Sequence, residues 1–179
     1  MRKIVLTYGL IAGGILSAMM LVAVPFRDSI GLDRGMIIGY TSMVMAFLMV
    51  YFGMRTYRDN VAGGQLPFLK AVGVGVAISL VATACYVATW EVIYYRIAPG
   101  YGEAYATASI EKARKSGASE AELAAKRKEM DEFRVMYDKP LYNIALTSLE
   151  PLPVALLFTL VSAGLVSRRK RREATPAIA

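Results

Sequence analysis

Tyr142–Val166 reads YNIALTSLEPLPVALLFTLVSAGLV, 25 residues broken by one charge, Glu150. A bilayer core of about 30 Å, crossed at 1.5 Å per residue, takes roughly 20 apolar residues in a helix. This run is long enough. It begins just past Pro140 and stops at Ser167-Arg168, so polar punctuation bounds both ends. A single such run could be a buried helix of a soluble core, and its neighbours decide otherwise.

Working outward, three more runs have the same character: Ile4–Val24 after Arg2-Lys3, Met36–Met54 between Arg34 and Arg55, and Leu69–Tyr94, with Lys70 at its start and Glu91 near its end. A chain of 179 residues cannot enclose four helices that are apolar all round. With 56% hydrophobic residues, 20% charged residues and mean hydropathy +0.43, the composition is that of a membrane protein. The expected fold is all-α: one membrane domain over residues 1–179, a four-transmembrane-helix bundle with spans at 4–24, 36–54, 69–94 and 142–166. The first run exceeds the usual signal-peptide core of about 7–15 residues, so it reads as a retained span.

Orientation follows from Lys and Arg near the span ends. Arg2, Lys3, Arg55, Arg58, Lys70 and the run Arg168, Arg169, Lys170, Arg171, Arg172 fall on one side. The short segment 25–35, read as a loop, balances Arg27 and Arg34 against Asp28 and Asp33. Both termini are therefore expected in the cytoplasm, with residues 167–179 a basic cytoplasmic tail. That run, less Glu173, supplies +4 of the formal net charge of +7. Placed directly after a span, it stops translocation and attracts anionic lipid headgroups, and nucleic acid is not expected as a partner. Arg55 and Arg58 are assigned the same headgroup role.

Residues 101–137 are too long for a plain connection and rich in Ala, Glu, Lys and Arg. Ser116-Gly117 is a helix stop, and Ser119 with Glu122 is a capping box that restarts one. Leu123, Met130, Phe133 and Tyr137 share a face of the second helix. An extramembrane helical hairpin between the third and fourth spans is expected, on the extracytoplasmic side.

Aligning the spans by depth brings polar residues of three helices to one level: Tyr40, Thr41 and Ser42 of the second, Tyr86, Thr89, Trp90 and Glu91 of the third, and Thr147, Ser148 and Glu150 of the fourth. A carboxylate inside the bilayer costs free energy unless it is protonated, hydrogen-bonded or faces water. Pro151 and Pro153 lack amide hydrogens and disturb bonding to the carbonyls of Thr147 and Leu149. The candidate intramembrane polar site is Tyr40, Ser42, Tyr86, Glu91, Glu150, Pro151 and Pro153. Two roles stay open for Glu150: a structural bond to Tyr40, Ser42 or Arg34, or handling of an ion, proton or ligand. Small residues spaced by four, Gly9-Gly13-Ser17, Gly35-Gly39 and Gly73-Ala77 or Gly75-Ser79, mark close helix approach within the bundle or between copies.

With no His and one Cys, the chain lacks the usual general base and metal ligands, and it has no phosphate-cradling loop or serine motif. No catalytic residue, cofactor or metal is expected, and the protein does not read as an enzyme. The partners expected are the bilayer and either a second copy or another membrane protein.

Tyr8-Gly9, Gly39-Tyr40-Thr41-Ser42-Met43, Phe52-Gly53-Met54-Arg55, Tyr57-Arg58-Asp59, Gly64 to Phe68 and Leu149-Glu150-Pro151-Leu152-Pro153 occur in an order that resembles the DUF4199 family of bacterial integral membrane proteins. The resemblance implies a four-helix protein of the bacterial inner membrane and carries no catalytic role. Function is expected to be that of a small membrane scaffold or accessory subunit. The alternative is an oligomeric transporter or channel-like protein using Glu150 and its polar neighbours.

Overall fold

The computed structural model describes residues 1–168. Arg169, Lys170, Arg171 and Arg172, assigned above to headgroups, lie outside the described residues. The chain forms α1 (Arg2–Ala23), a 3₁₀ turn (Val24–Phe26), α2 (Arg27–Asn60), α3 (Phe68–Val92) continued by a π turn (Ile93–Ile97), α4 (Tyr101–Lys115), α5 (Glu120–Tyr137), α6 (Pro140–Leu149) and α7 (Leu152–Ser167). No strand occurs among the described residues. Four helical segments are long and apolar enough to cross a membrane: Arg2–Phe26, Ser29–Asn60, Phe68–Ile97 and Pro140–Ser167.

Two boundaries differ from the reading by hydropathy. Segment 25–35 is helical, not a loop, but α2, Arg27 to Asn60, is two helical stretches joined across a kink at Gly31, whose backbone leaves helical geometry. Charged residues there change the helix's surroundings, not its backbone bonding. Gly31 has φ 73° and ψ 170°, a region open essentially to glycine, and it redirects the helix. The fourth run, conversely, is two helices. Pro151 sits at the joint, where missing amides prevent α6 from continuing into α7.

α2 and α3 form the shared centre: α1 packs on both from one side and α7 packs on both from the other. Ala12 and Leu16 of α1, Phe47, Val50 and Met54 of α2, Val74 and Ile78 of α3, and Ala163 and Val166 of α7 fill the interior. Most of this packing lies toward the proximal end, the end that holds Met1, the α2–α3 turn and Ser167. Residues 29–41 of α2, toward the opposite distal end, include no buried residue.

Glycines set the spacing. A methyl group on Gly13 would stand 2.5 Å from Cys85 Cβ, and one on Gly9 would stand 2.6 Å from Val81 Cβ, so α1 lies almost backbone to backbone on α3. Gly35, Gly39 and Gly73 have no such neighbour within 4 Å. Tyr8 and Thr56 share a hydroxyl hydrogen bond of 2.7 Å between α1 and α2, and Ser17 and Thr89 share one of 2.7 Å between α1 and α3. At the proximal end Arg58 turns inward. Its Nε donates to Asp59 at 2.7 Å and its Nη1 to the Val166 carbonyl at 3.4 Å, placing a cation at the C-terminal end of α7. Arg55 stays 55% exposed, 3.8 Å from Asp59.

α4 packs on α5 through rings including Tyr105 and Phe133, and Gly117 (φ 85°) turns the chain between them. At the start of α5, Ser119 Oγ accepts from the Glu122 amide while the Glu122 carboxylate accepts from the Ser119 amide at 2.7 Å. Those bonds hold the Glu122 carboxyl below the usual carboxylate range. A depressed carboxyl pKa stabilises the folded state above the unfolded value, and the contribution is lost as pH falls through the folded one. Acidification from pH 6 to pH 3 should therefore loosen the start of α5, read as faster amide exchange at Ala121–Leu123. Glu122→Gln should make exchange there insensitive to pH beyond the intrinsic chemistry.

Candidate functional site

Tyr86 and Trp90 of α3 are spaced by four, and Tyr94 in the π turn continues the stripe toward the distal end. The π turn that follows inserts an extra residue and brings two phenols to one acid. Tyr94 Oη donates to Asp138 Oδ1 at 2.6 Å, and Tyr95 Oη donates to the Asp138 carbonyl at 3.2 Å. Asp138 caps the C-terminus of α5, so these bonds tie the α4–α5 pair to α3.

A second line of bonds runs deeper. Trp90 Nε1 donates to Tyr137 Oη at 2.9 Å, the Tyr137 and Thr147 hydroxyls lie 3.0 Å apart, and Thr147 Oγ1 donates to Asn143 Oδ1 at 3.2 Å. Because Thr147 gives its one proton to Asn143, Tyr137 must donate to Thr147. The relay thus points one way, from α3 through α5 into α6, and its inner members are sealed: Thr147 is 1% exposed and Asn143 0%. Buried polar groups are tolerated when satisfied, and each step from Trp90 to Asn143 Oδ1 is bonded, while Asn143 Nδ2 is enclosed without a hydrogen-bond partner among the described residues. Rings close the gaps around it. Tyr137 stacks on Phe133 at 5.2 Å and meets Tyr94 edge-on at 5.3 Å, while Trp90 meets Tyr101 edge-on at 4.8 Å. Burial pushes the Tyr137 phenol up to about 12, against opposing hydrogen bonds from Thr147 and Trp90.

Glu150 stands beside this cluster at the α6–α7 joint. Tyr86 Oη donates to its Oε2 at 2.6 Å. Glu150 as a whole residue is exposed, whereas Pro151 next to it is buried. The Arg27 guanidinium lies over the Tyr101 ring, 5.5 Å from its centre. Burial raises the Tyr101 phenol above its ordinary value; the Glu150 charge raises it further and Arg27 lowers it. That one phenol lies within electrostatic reach of both charges.

Of the residues proposed from depth, the structure unites Tyr86 and Glu150. Tyr40 is 53% exposed, and Ser42 Oγ donates to its own helix at the Ile38 carbonyl, 2.7 Å away. Neither bonds Glu150. Glu91 is one residue round the helix from Trp90, half-buried, and its Oε1 is enclosed without a hydrogen-bond partner among the described residues. Pro153 is exposed in the first turn of α7. Arg168 is exposed at the proximal end, beside a cavity lined by Gln65, Pro67 and Ser167. Tyr94, Tyr101, Tyr137, Asp138 and Asn143 escaped the depth argument. Tyr86-Trp90-Tyr94 spacing was the available signal for the α3 side, and the Tyr137 face of α5 was the signal for its partner.

The family model described as "Protein of unknown function (DUF4199)" matches residues 7–168, most of the chain. The chain belongs to the DUF4199 family. No curated protein and no solved structure matches it. In this DUF4199 protein the matched region takes in the first apolar segment from residue 7, the other three whole, the α4–α5 pair and every member of the aromatic and acidic cluster.

Proposed function

We propose that this protein is a multi-pass protein of the bacterial inner membrane, with both termini cytoplasmic, and that it acts as a small scaffold or accessory subunit. Its partner is another membrane protein, held through the extracytoplasmic α4–α5 hairpin. The observation that carries this reading is a shallow groove of about 480 Å³ along α4, lined by Gly100, Ala104, Thr107 and Ala108 and flanked by Glu103 and Glu111. Small residues admit a close-packed backbone, and Glu103 favours a segment carrying Lys or Arg, Glu111 being already paired with Arg114 at 3.3 Å. The relay from Trp90 to Asn143 supports the reading, because a surface held in fixed geometry loses less entropy on binding. Nothing in this role calls for catalysis, consistent with a chain that has no His and one Cys.

The proximal core supports a non-conducting role for a single copy: Phe47, Val50, Met54, Ile78 and Ala163 are each 0% exposed and fill the centre. An oligomeric transporter is the second reading, and an acid, Glu150, within an apolar segment long enough to cross a membrane is what favours it. Photocrosslinking in native membranes separates the two. A photoreactive residue at Thr107 should yield a discrete adduct with a membrane protein, absent when the same group replaces lipid-facing Leu80. No adduct from α4, together with solute flux abolished by Glu150→Gln in vesicles, would replace the scaffold with the transporter.

A further inference from the structure

Glu150 carries an acid for which the described chain supplies no ion pair. Tyr86 gives its carboxylate a hydrogen bond at 2.6 Å, and no cation pairs with it among the described residues. The residue as a whole is exposed at the α6–α7 joint. Aromatic residues gather beside it: Tyr86 is bonded to it through its hydroxyl, Trp90 follows one turn on along α3, and Trp90 packs edge-on against Tyr101 at 4.8 Å. A cation already rests on one of these rings, since the Arg27 guanidinium lies 5.5 Å from the Tyr101 centre.

We propose that Glu150, with the rings of Tyr86, Trp90 and Tyr101, forms a binding site for a monovalent organic ammonium, presented either by a lipid amine headgroup or by a free small amine. One carboxylate and neutral phenols are too few oxygens for Ca²⁺ or Mg²⁺, which take about six or more. A weakly hydrated ammonium needs fewer. It is attracted by the aromatic faces and neutralises the carboxylate, which would otherwise be costly at this depth. Arg27 occupies the Tyr101 face as a built-in competitor. It lies four residues before Gly31, whose φ of 73° lets the start of α2 take a direction of its own. Removing Arg27 therefore frees ring surface and strengthens binding. The site rests on Glu150 lying within a membrane span and is independent of the partner assigned to α4, so the crosslinking result and this one can fail separately.

Trp90 is the sole tryptophan, so its emission reports the site. The full chain in phosphatidylglycerol nanodiscs is titrated with tetramethylammonium chloride, with sodium chloride as the ionic-strength control. Expected is a saturable change in emission, roughly tenfold weaker in Glu150→Gln and Tyr101→Leu and roughly threefold tighter in Arg27→Ala, with Tyr101→Phe close to wild type. In phosphatidylethanolamine discs, loss of the response identifies the headgroup as occupant, and an unchanged response identifies a free amine. Circular dichroism on each variant separates lost binding from lost folding. A response no larger than that of sodium chloride in both wild type and Arg27→Ala would overturn the proposal, as would unchanged affinity in well-folded Glu150→Gln.

Discussion

Tyr137→Ala is expected to release the α4–α5 pair while leaving the apolar bundle folded. Tyr137 is 8% exposed, stacks on Phe133, meets Tyr94 edge-on and passes the hydrogen bond from Trp90 to Thr147. Truncating a buried aromatic residue typically costs about 3–5 kcal/mol. Most of that cost falls on the attachment of α5, because the spans contact each other through other residues. Amide exchange of residues 101–137 should rise steeply, that of α1, α2 and α3 should hold, and Trp90 emission should shift to the red as water reaches it. Tyr137→Phe keeps the ring and removes only the hydroxyl, leaving the buried Trp90 N–H without its acceptor at about 1–3 kcal/mol, while Thr147 keeps its bond to Asn143. Equal loss of protection in the spans and in α4–α5 would mean that the two are one cooperative unit.

Gly13→Ala should destabilise the bundle by about 1–3 kcal/mol, whereas Gly14→Ala one residue away should be neutral or stabilising by up to about 1 kcal/mol. The contrast comes from direction. The new methyl at residue 13 lies 2.5 Å from Cys85 Cβ and 2.8 Å from its Sγ, and at residue 14 it meets nothing within 4 Å. A Cβ cannot swing aside as a long side chain can, so α1 has to lift from α3. Lifting would also stretch the Ser17–Thr89 hydrogen bond of 2.7 Å. Thermal unfolding in detergent should therefore show midpoint shifts of opposite sign, or one shift and no change. A common downward shift would indicate that the α1–α3 contact is looser than the glycines imply.

These two sites differ in how far the sequence reveals them. The Gly9-Gly13 repeat is visible as spacing, and hydropathy locates the four apolar segments because the cost of exposing or burying side chains dominates there. Hydropathy reports surroundings, not hydrogen bonding, which is why the helical stretch around Arg27 to Arg34 reads as a loop. Pro151 signals a disturbance, but whether a proline bends a helix or splits it depends on what packs on either side. Here α6 leans on α3 and α5, while α7 packs on α2 and α3. Depth along the helices puts Tyr86 at the level of Glu150, and puts Tyr40, Ser42 and Glu91 there too. Depth fixes height along a helix and leaves rotation undetermined, and successive residues differ by about 100°. Asn143 and Asp138 carry no signal of their own. Their roles exist only once α5 and α6 fold back against α3.

The proposed scaffold requires the α4–α5 pair on one side of the membrane and the α2–α3 turn on the other. Cysteine accessibility in a Cys85→Ser background tests it directly, using Ser116→Cys between α4 and α5 and Val61→Cys in the α2–α3 turn, both at exposed positions. A membrane-impermeant maleimide should label Ser116→Cys in intact cells and label Val61→Cys only after permeabilisation. Labelling of Val61→Cys in intact cells, with Ser116→Cys protected, would invert the orientation; labelling of both in intact cells would contradict the four-span arrangement itself.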